Sequence, residues 1–345
     1  MTHGYRPVIQ ATRGGVVESI HFGAIAVADA QGNLLASWGD PELQTFMRSS
    51  AKPFQALPTV ESGTLEAFGL ADEDLALFCA SHAGTDDHVS AVASIQARVG
   101  LPESALQCGT HPPLDRKTAF RLRSEGIAPT PNRHNCSGKH TGMLAQAKHI
   151  GASLDTYLSP ENPVQQRILA ALAAMADLKE SEILVGTDGC SAPNFAIPLR
   201  AAATAYARLA DPTGLPPERA QACDRIFRAM TSHPTRVSGE GFADAVLMES
   251  VPGVLAKAGA EGYQGLAIRP SALGGGRALG VAFKISDGDP AFRAQGPMVL
   301  SVLHQLGVDG VLSLGQRSPF GPMDIQNHAG LTIGQVETCF ELSAP

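Results

Sequence analysis

Residues 254–285 read VLAKAGAEGYQGLAIRPSALGGGRALGVAFKI, and this stretch decides the fold class. Val254 to Ala258, Gln264 to Ile268 and Ala278 to Ile285 are short apolar runs separated by glycine-rich turns, the pattern of sheet strands. Ser271-Ala272-Leu273-Gly274-Gly275-Gly276 is the loop between the last two. The chain opens in the same way. Val8 to Ala11, Val16 to Val27 and Asn33 to Ser37 read as strands, with Asp29-Ala30-Gln31-Gly32 as a turn. From about Lys52 the middle is mainly helical: Asp87 to Val99, Val164 to Ala176, Ala196 to Leu209 and Pro217 to Met230 are Ala-rich and apolar at i, i+3, i+4. Strands at both ends predict that the terminal strands pair in one sheet. A cut through the middle would leave neither half owning its sheet. The expectation is therefore one catalytic domain over residues 1–345, of α/β class, with a mixed β-sheet flanked by helices and a helical subregion around 87–230.

The 345 residues are 44% hydrophobic and 17% charged, the balance of a globular enzyme with a real core. A net charge of −7, spread without a basic block, argues against binding to nucleic acid or to an anionic membrane. No run of about 18 apolar residues occurs, so no membrane span is expected. The first residues, MTHGYRPVIQATRGG, lack the apolar stretch of a secretory signal. The expected compartment is therefore the cytosol, and the six cysteines (79, 108, 136, 190, 223 and 339) are expected to be reduced.

Three short patterns follow one another in a telling order. They are Ser49-Ser50-Ala51-Lys52, then Ser81-His82-Ala83-Gly84 after the apolar run Leu75 to Ala80, then Lys257-Ala258-Gly259 at the end of a strand. A serine hydroxyl needs a neighbouring base before it can attack. In Ser-x-x-Lys on a helix, i and i+3 share a face, so Ser49 and Lys52 can meet. A lysine becomes a base only where burial or a second cation disfavours its charge, and Lys257 is the candidate cation. Ser81 could bridge the two lysines. Each pattern alone has a bland reading: Ser49 as a helix cap, Ser81 as a turn residue, Lys257 as a solvated surface lysine. β-Lactamases and penicillin-binding proteins use S-x-x-K, S-D-N and K-T-G in the same order.

A second constellation lies in His134-Asn135-Cys136-Ser137-Gly138-Lys139-His140, which opens a helix. Cys136 and His140 are i and i+4 and can point at one metal ion, with Cys190 from the turn Asp188-Gly189-Cys190-Ser191 as a third ligand. Thiolate and imidazole would favour zinc. Buried inert cysteines, or a Cys136 nucleophile with His134 or His140 as its base, are the alternatives.

Taken together, these residues resemble the L-asparaginase II family typified by the inducible rhizobial enzyme. The likeness rests on Gly39-Asp40-Pro41, Arg48-Ser49-Ser50-Ala51-Lys52-Pro53, Ala80-Ser81-His82 and Asn135-Cys136-Ser137-Gly138-Lys139-His140. It continues through Asp188-Gly189-Cys190, His233-Pro234 and Lys257-Ala258-Gly259-Ala260-Glu261-Gly262. The resemblance implies two Ser–Lys pairs, Ser49 with Lys52 and Ser81 with Lys257. It also implies a zinc ion on Cys136, Lys139 and Cys190, so that Lys139 takes the place that spacing gives to His140. Arg48, His140 and Asp188 are the expected substrate contacts. A serine β-lactamase or glutaminase fold, a homodimer and hydrolysis of L-asparagine to aspartate and ammonia follow from the same likeness. Rival expectations are a glutaminase, a penicillin-type acyltransferase, or a non-catalytic zinc-stabilised binding protein.

Overall fold

The computed structural model describes residues 4–316, 319–321 and 323–344. Met1, Thr2 and His3, the start of the segment read for a leader, lie outside them. The chain divides into two compact units interleaved along the sequence. A sheet unit comprises Met1–Ser50, Ile197–Asp211 and Ser250–Pro345; a helical unit comprises Ala51–Ala196 and Pro212–Glu249.

The sheet unit begins with β1 (Arg6–Arg13), β2 (Val16–Ala28), β3 (Leu34–Trp38) and the short β4 (Gln44–Phe46). In the helical unit β5 (Leu184–Thr187) and β6 (Pro193–Pro198) pair as a hairpin. The sheet unit then adds β7 (Val254–Gly259), β8 (Tyr263–Ile268), β9 (Leu279–Ile285), β10 (Asp324–Gln326) and β11 (Thr332–Thr338). Its sheet runs β10-β11-β1-β2-β9-β8-β7, with β3 also paired to β2. The ladders are antiparallel. Ala24 faces Lys284 and Val27 faces Val281, so the two ends of the chain share one sheet as their composition requires.

The helical unit contains α1 (Lys52–Glu61), α2 (Thr64–Ala67), α3 (Asp72–Phe78), α4 (Asp86–Val99), α5 (Arg116–Ser124), α6 (Ser137–Ile150) and α7 (Pro163–Ala176). After α8 (Leu199–Ala210), which belongs to the sheet unit, come α9 (Pro217–Ser232), α10 (Pro234–Val237) and α11 (Ala243–Ser250). The last helix, α12 (Gln295–Gln305), is again in the sheet unit. With α8 and α12 packed on the sheet, the architecture is the expected α/β one. Among the described residues no helix is long and apolar enough to cross a membrane.

Periodicity alone starts α8 at Ala196, whereas the helix begins at Leu199 and residues 193–198 are strand. Proline is the reason: Pro198 disfavours the helical conformation at Ile197 and is itself extended, at φ −57° and ψ 144°. The helix then lies against the sheet at two bare positions. A Cβ on Gly265 would come 2.0 Å from the Tyr206 ring, and one on Gly280 would come 1.8 Å from the Ala203 carbonyl oxygen. Both glycines stand in the stretch that decides the fold, and close backbone approach explains them.

The helical unit is tied partly by ion pairs. Asp72, in the first turn of α3, accepts from Arg225 at 2.9 Å and from Arg228 at 3.0 Å, both on α9. Partial burial pushes the Asp72 carboxyl up, but the two guanidinium hydrogen bonds outweigh it and hold the group below its ordinary value of 3.8.

Two outcomes follow. Gly280→Ala meets backbone with no side chain to yield, and is expected to cost about 1–3 kcal/mol or more, read as a lowered urea midpoint. An unchanged midpoint would mean α8 does not rest there. For Asp72, the unfolded chain binds the proton more tightly than the folded one, so its stabilisation is present at neutral pH and is lost as pH falls through and below 3.8. The wild type should therefore lose more stability than Asp72→Asn between pH 5 and pH 3, measured by denaturant titration at each pH.

Candidate active site

Arg48–Ala51 forms one 3-10 turn, and Ala51 is the N-cap residue of the helix that follows. Ser49 is thus not a helix cap. Arg48 is left-handed at φ +53°, a conformation that costs a non-glycine residue about 1–3 kcal/mol and clusters at functional sites. The turn is pinned to β7. A Cβ on Gly259 would sit 2.5 Å from the Met47 carbonyl oxygen. Fully buried Ser50 donates its hydroxyl to the Lys257 carbonyl at 2.9 Å. Tyr206 Oη donates to the Ser50 carbonyl at 2.6 Å and stands 2.7 Å from Ser50 Oγ. Of the two adjacent serines, Ser50 has a hydroxyl engaged by the fold, while Ser49 is half-buried. Lys257 is not a surface lysine: it is 1% exposed, and its Nζ donates to the Ala258 carbonyl at 2.8 Å.

In the helical unit Lys52 opens α1 and is completely buried. Its Nζ donates to the Ala80 carbonyl at 2.6 Å, to Ser81 Oγ at 2.8 Å and to Cys136 Sγ at 3.2 Å. Ser81 stands just beyond α3, its N–H donating to the Val237 carbonyl at 2.9 Å. The next residue, His82, bonds the Asn135 carbonyl through its N–H at 3.1 Å. The His82 ring holds Ser137 Oγ at 2.8 Å, and Ser137 donates to the Asn132 carbonyl. Two glycines one turn apart bring α6 this close. A Cβ on Gly138 would lie 2.2 Å from the Leu77 carbonyl oxygen, and one on Gly142 would lie 2.7 Å from the Phe78 ring.

The start of α6 places a second lysine against a second sulfur. Lys139, 3% exposed, donates to Cys190 Sγ at 3.1 Å. Cys190 is held in a turn closed by bonds between Asp188 and both Ser191 and Ala192, with Ser191 left-handed at φ +68°. A hydrogen bond from Cys190, with the charges of Lys52 and Lys139, holds the Cys136 thiol well below its usual range despite burial. The same bond, with burial, pushes Cys190 up. Burial lowers His140 to about 4, so its ring is neutral. Burial alone would lower Lys139, but the nearby sulfurs reverse this and take it up to about 12.

Two soft sulfurs and an amine fit a thiophilic metal such as zinc. Among the described residues, His, Cys, Asp and Glu side chains alone make no group of three that could hold an ion. The third donor beside Cys136 and Cys190 would then be Lys139. A lysine ligand must be neutral, and a dication would drive off the proton that Lys139 otherwise keeps.

The sequence profile of the L-asparaginase II family matches residues 9–338. The chain belongs to the L-asparaginase II family. Membership supports an amidohydrolase. No curated protein matches the chain. Among solved structures, Mglu is 15% identical with a TM-score of 0.41, over 84% of this chain and 68% of that one. In the tris and glutamate form of Mglu, the matched share of that protein is 60%. A probable glutaminase from Bacillus subtilis complexed with 6-diazo-5-oxo-L-norleucine is 12% identical, with a TM-score of 0.40, over 83% of this chain and 84% of that one. At such scores the likeness says nothing about chemistry.

The structure thus gathers Lys52, Ser81, Cys136, Lys139, His140 and Cys190 in one unit, and packs the Ser49 turn on the Lys257 strand in the other. Lys52 touches Ser81, a pairing that spacing along the chain does not reveal. Three residues escape a reading of motifs: Ser50, Tyr206 and Tyr157, whose hydroxyl lies 2.7 Å from His140 Nδ1. The tyrosines carry no local signature, since each acts from a distant segment. Gly138→Ala is expected to separate α6 from α3, lowering the melting temperature and amide hydrolysis together. Full activity in that variant would show that the close approach is dispensable.

Proposed function

We propose that the protein hydrolyses the side-chain amide of L-asparagine to give L-aspartate and ammonia. The observation that carries the reading is the buried Lys52 amine 2.8 Å from Ser81 Oγ, in a chain of the L-asparaginase II family. Ser49 attacks the amide carbon, and Lys52, once deprotonated, takes the hydroxyl proton. Ammonia leaves, and water hydrolyses the β-aspartyl ester. Ser81 and Lys257 pass protons in the proposed cycle. Arg48, His140 and Asp188 help place the substrate. Zinc, when bound by Cys136, Lys139 and Cys190, supplies a positive centre that orients substrate. The proposed form is a cytosolic homodimer.

A second reading has one observation in its favour. The Ser81 hydroxyl is in contact with Lys52, and Ser81 would then be the attacking group. Glutamine is the competing substrate, and a pocket separates one methylene by only about 1–3 kcal/mol.

The test is ammonia release from L-asparagine and L-glutamine by the wild type, Ser49→Ala and Ser81→Ala, joined to labelling with a diazoketone analogue of asparagine. Wild-type release from asparagine, its loss by about 10³-fold or more in Ser49→Ala, and label on Ser49 are expected. Label on Ser81 would transfer the nucleophile to that residue. Turnover of neither amide would sink the proposal.

A further inference from the structure

His140 is fully buried in the first turns of α6, and two contacts settle which of its nitrogens carries the hydrogen. Tyr157 is also fully buried, and its hydroxyl oxygen accepts from the Gln107 N–H at 2.9 Å. The same hydroxyl lies 2.7 Å from His140 Nδ1, with the rings nearly perpendicular at 86°. A phenol has one hydrogen to give. Among the described residues the only acceptor for it is His140 Nδ1, since Gln107 offers a donor. If Nδ1 carried a hydrogen instead, the phenol hydrogen would be buried without a partner, a loss of about 1–3 kcal/mol. Nδ1 is therefore the acceptor, and Nε2 bears the ring hydrogen. Nε2 makes no hydrogen bond of full geometry, and the ring lies within reach of the Cys190 sulfur.

An imidazole nitrogen that carries hydrogen cannot bind a metal. We propose that Tyr157 selects the metal ligands of this chain: by donating to His140 Nδ1 it makes His140 a hydrogen-bond donor toward Cys190 and leaves Lys139 to supply the nitrogen. The inference rests on the reading that Cys136, Lys139 and Cys190 hold a metal ion. It also accounts for a lysine ligand beside a histidine at ideal helical spacing from Cys136. Tyr157 is a positioning residue, touching neither substrate nor ion, and partners of this kind set metal affinity by about 10–100-fold. In Tyr157→Phe the phenol is gone, and a water in its place can accept as well as donate. His140 can then carry its hydrogen on Nδ1 and present Nε2 to the ion.

Two measurements test this independently. The first needs no metal: ¹H–¹⁵N long-range correlation spectra of the apo wild type, with the His140 signals assigned by their loss in His140→Asn. Hydrogen on Nε2 is expected; hydrogen on Nδ1 would overturn the proposal whether or not the protein binds metal. The second is titration with cobalt(II), followed by its d–d and sulfur charge-transfer bands, in the wild type, Lys139→Met, Lys139→Met/Tyr157→Phe and the triple variant that adds His140→Asn. Lys139→Met should lose affinity, the double variant should regain about 10-fold or more, and the triple variant should lose it again. A double variant no better than Lys139→Met would overturn the selection by Tyr157. If the wild type takes up no cobalt, the metal reading fails and the ligand selection falls with it, while the spectra still decide the His140 tautomer.

Discussion

An ammonium ion carries three N–H donors, and Lys52, sealed from solvent, finds three acceptors: a carbonyl, a hydroxyl and a sulfur. Burying such a charge without partners costs several kcal/mol. The segments that bring the partners, the end of α3 and the start of α6, must therefore stay in register with α1. The same saturation constrains the chemistry. A neutral amine has two hydrogens and a lone pair, so one of the three partners must become a donor when the proton leaves. The carbonyl cannot do so, and a thiol is only a weak donor. Ser81 is the partner able to reverse its hydrogen bond, which ties any basic role of Lys52 to that hydroxyl.

How much of this was legible beforehand depends on the range of the interaction. The pairing of the chain ends could be read because both ends hold apolar strand runs, and the parts that pair, 23–28 and 280–285, are almost wholly buried. β11 could not: of Thr332–Thr338 only Val336 is buried, so no alternation announces a strand. It pairs with β1 by backbone, where a side chain on Gly334 would strike the Thr12 carbonyl. The motif residues were identified by type and order, yet their partners were not. Spacing of three joins Ser49 to Lys52 in any helical turn, but no local rule predicts that Lys52 reaches Ser81 and Cys136. Nor does spacing tell His140 from Lys139 as a ligand, because a tyrosine from a separate segment bears on the choice.

Glycine recurs wherever two elements must nearly touch. Gly138 and Gly142 let α6 settle on α3, Gly265 and Gly280 let α8 settle on the sheet, and Gly259 admits the Met47 carbonyl. In each case the absent methyl group replaces what a longer side chain would hold apart, and the residues that bear chemistry ride on the elements drawn together. The cost in backbone entropy is about 0.5–1 kcal/mol for each such glycine inside a helix or strand.

Tyr206 joins these themes. Its ring fills the space over Gly265, and its hydroxyl fastens the Ser50 backbone, one residue from Ser49. Positions 50, 206 and 265 are far apart in sequence yet form one mechanical part. In the history of this fold they can drift only as a set: a sequence that gains a side chain at 265 must shrink the ring at 206, and one that shrinks the ring must find another anchor for the turn. Correlated change at these three positions, in a collection of diverged sequences, is the trace such a coupling leaves.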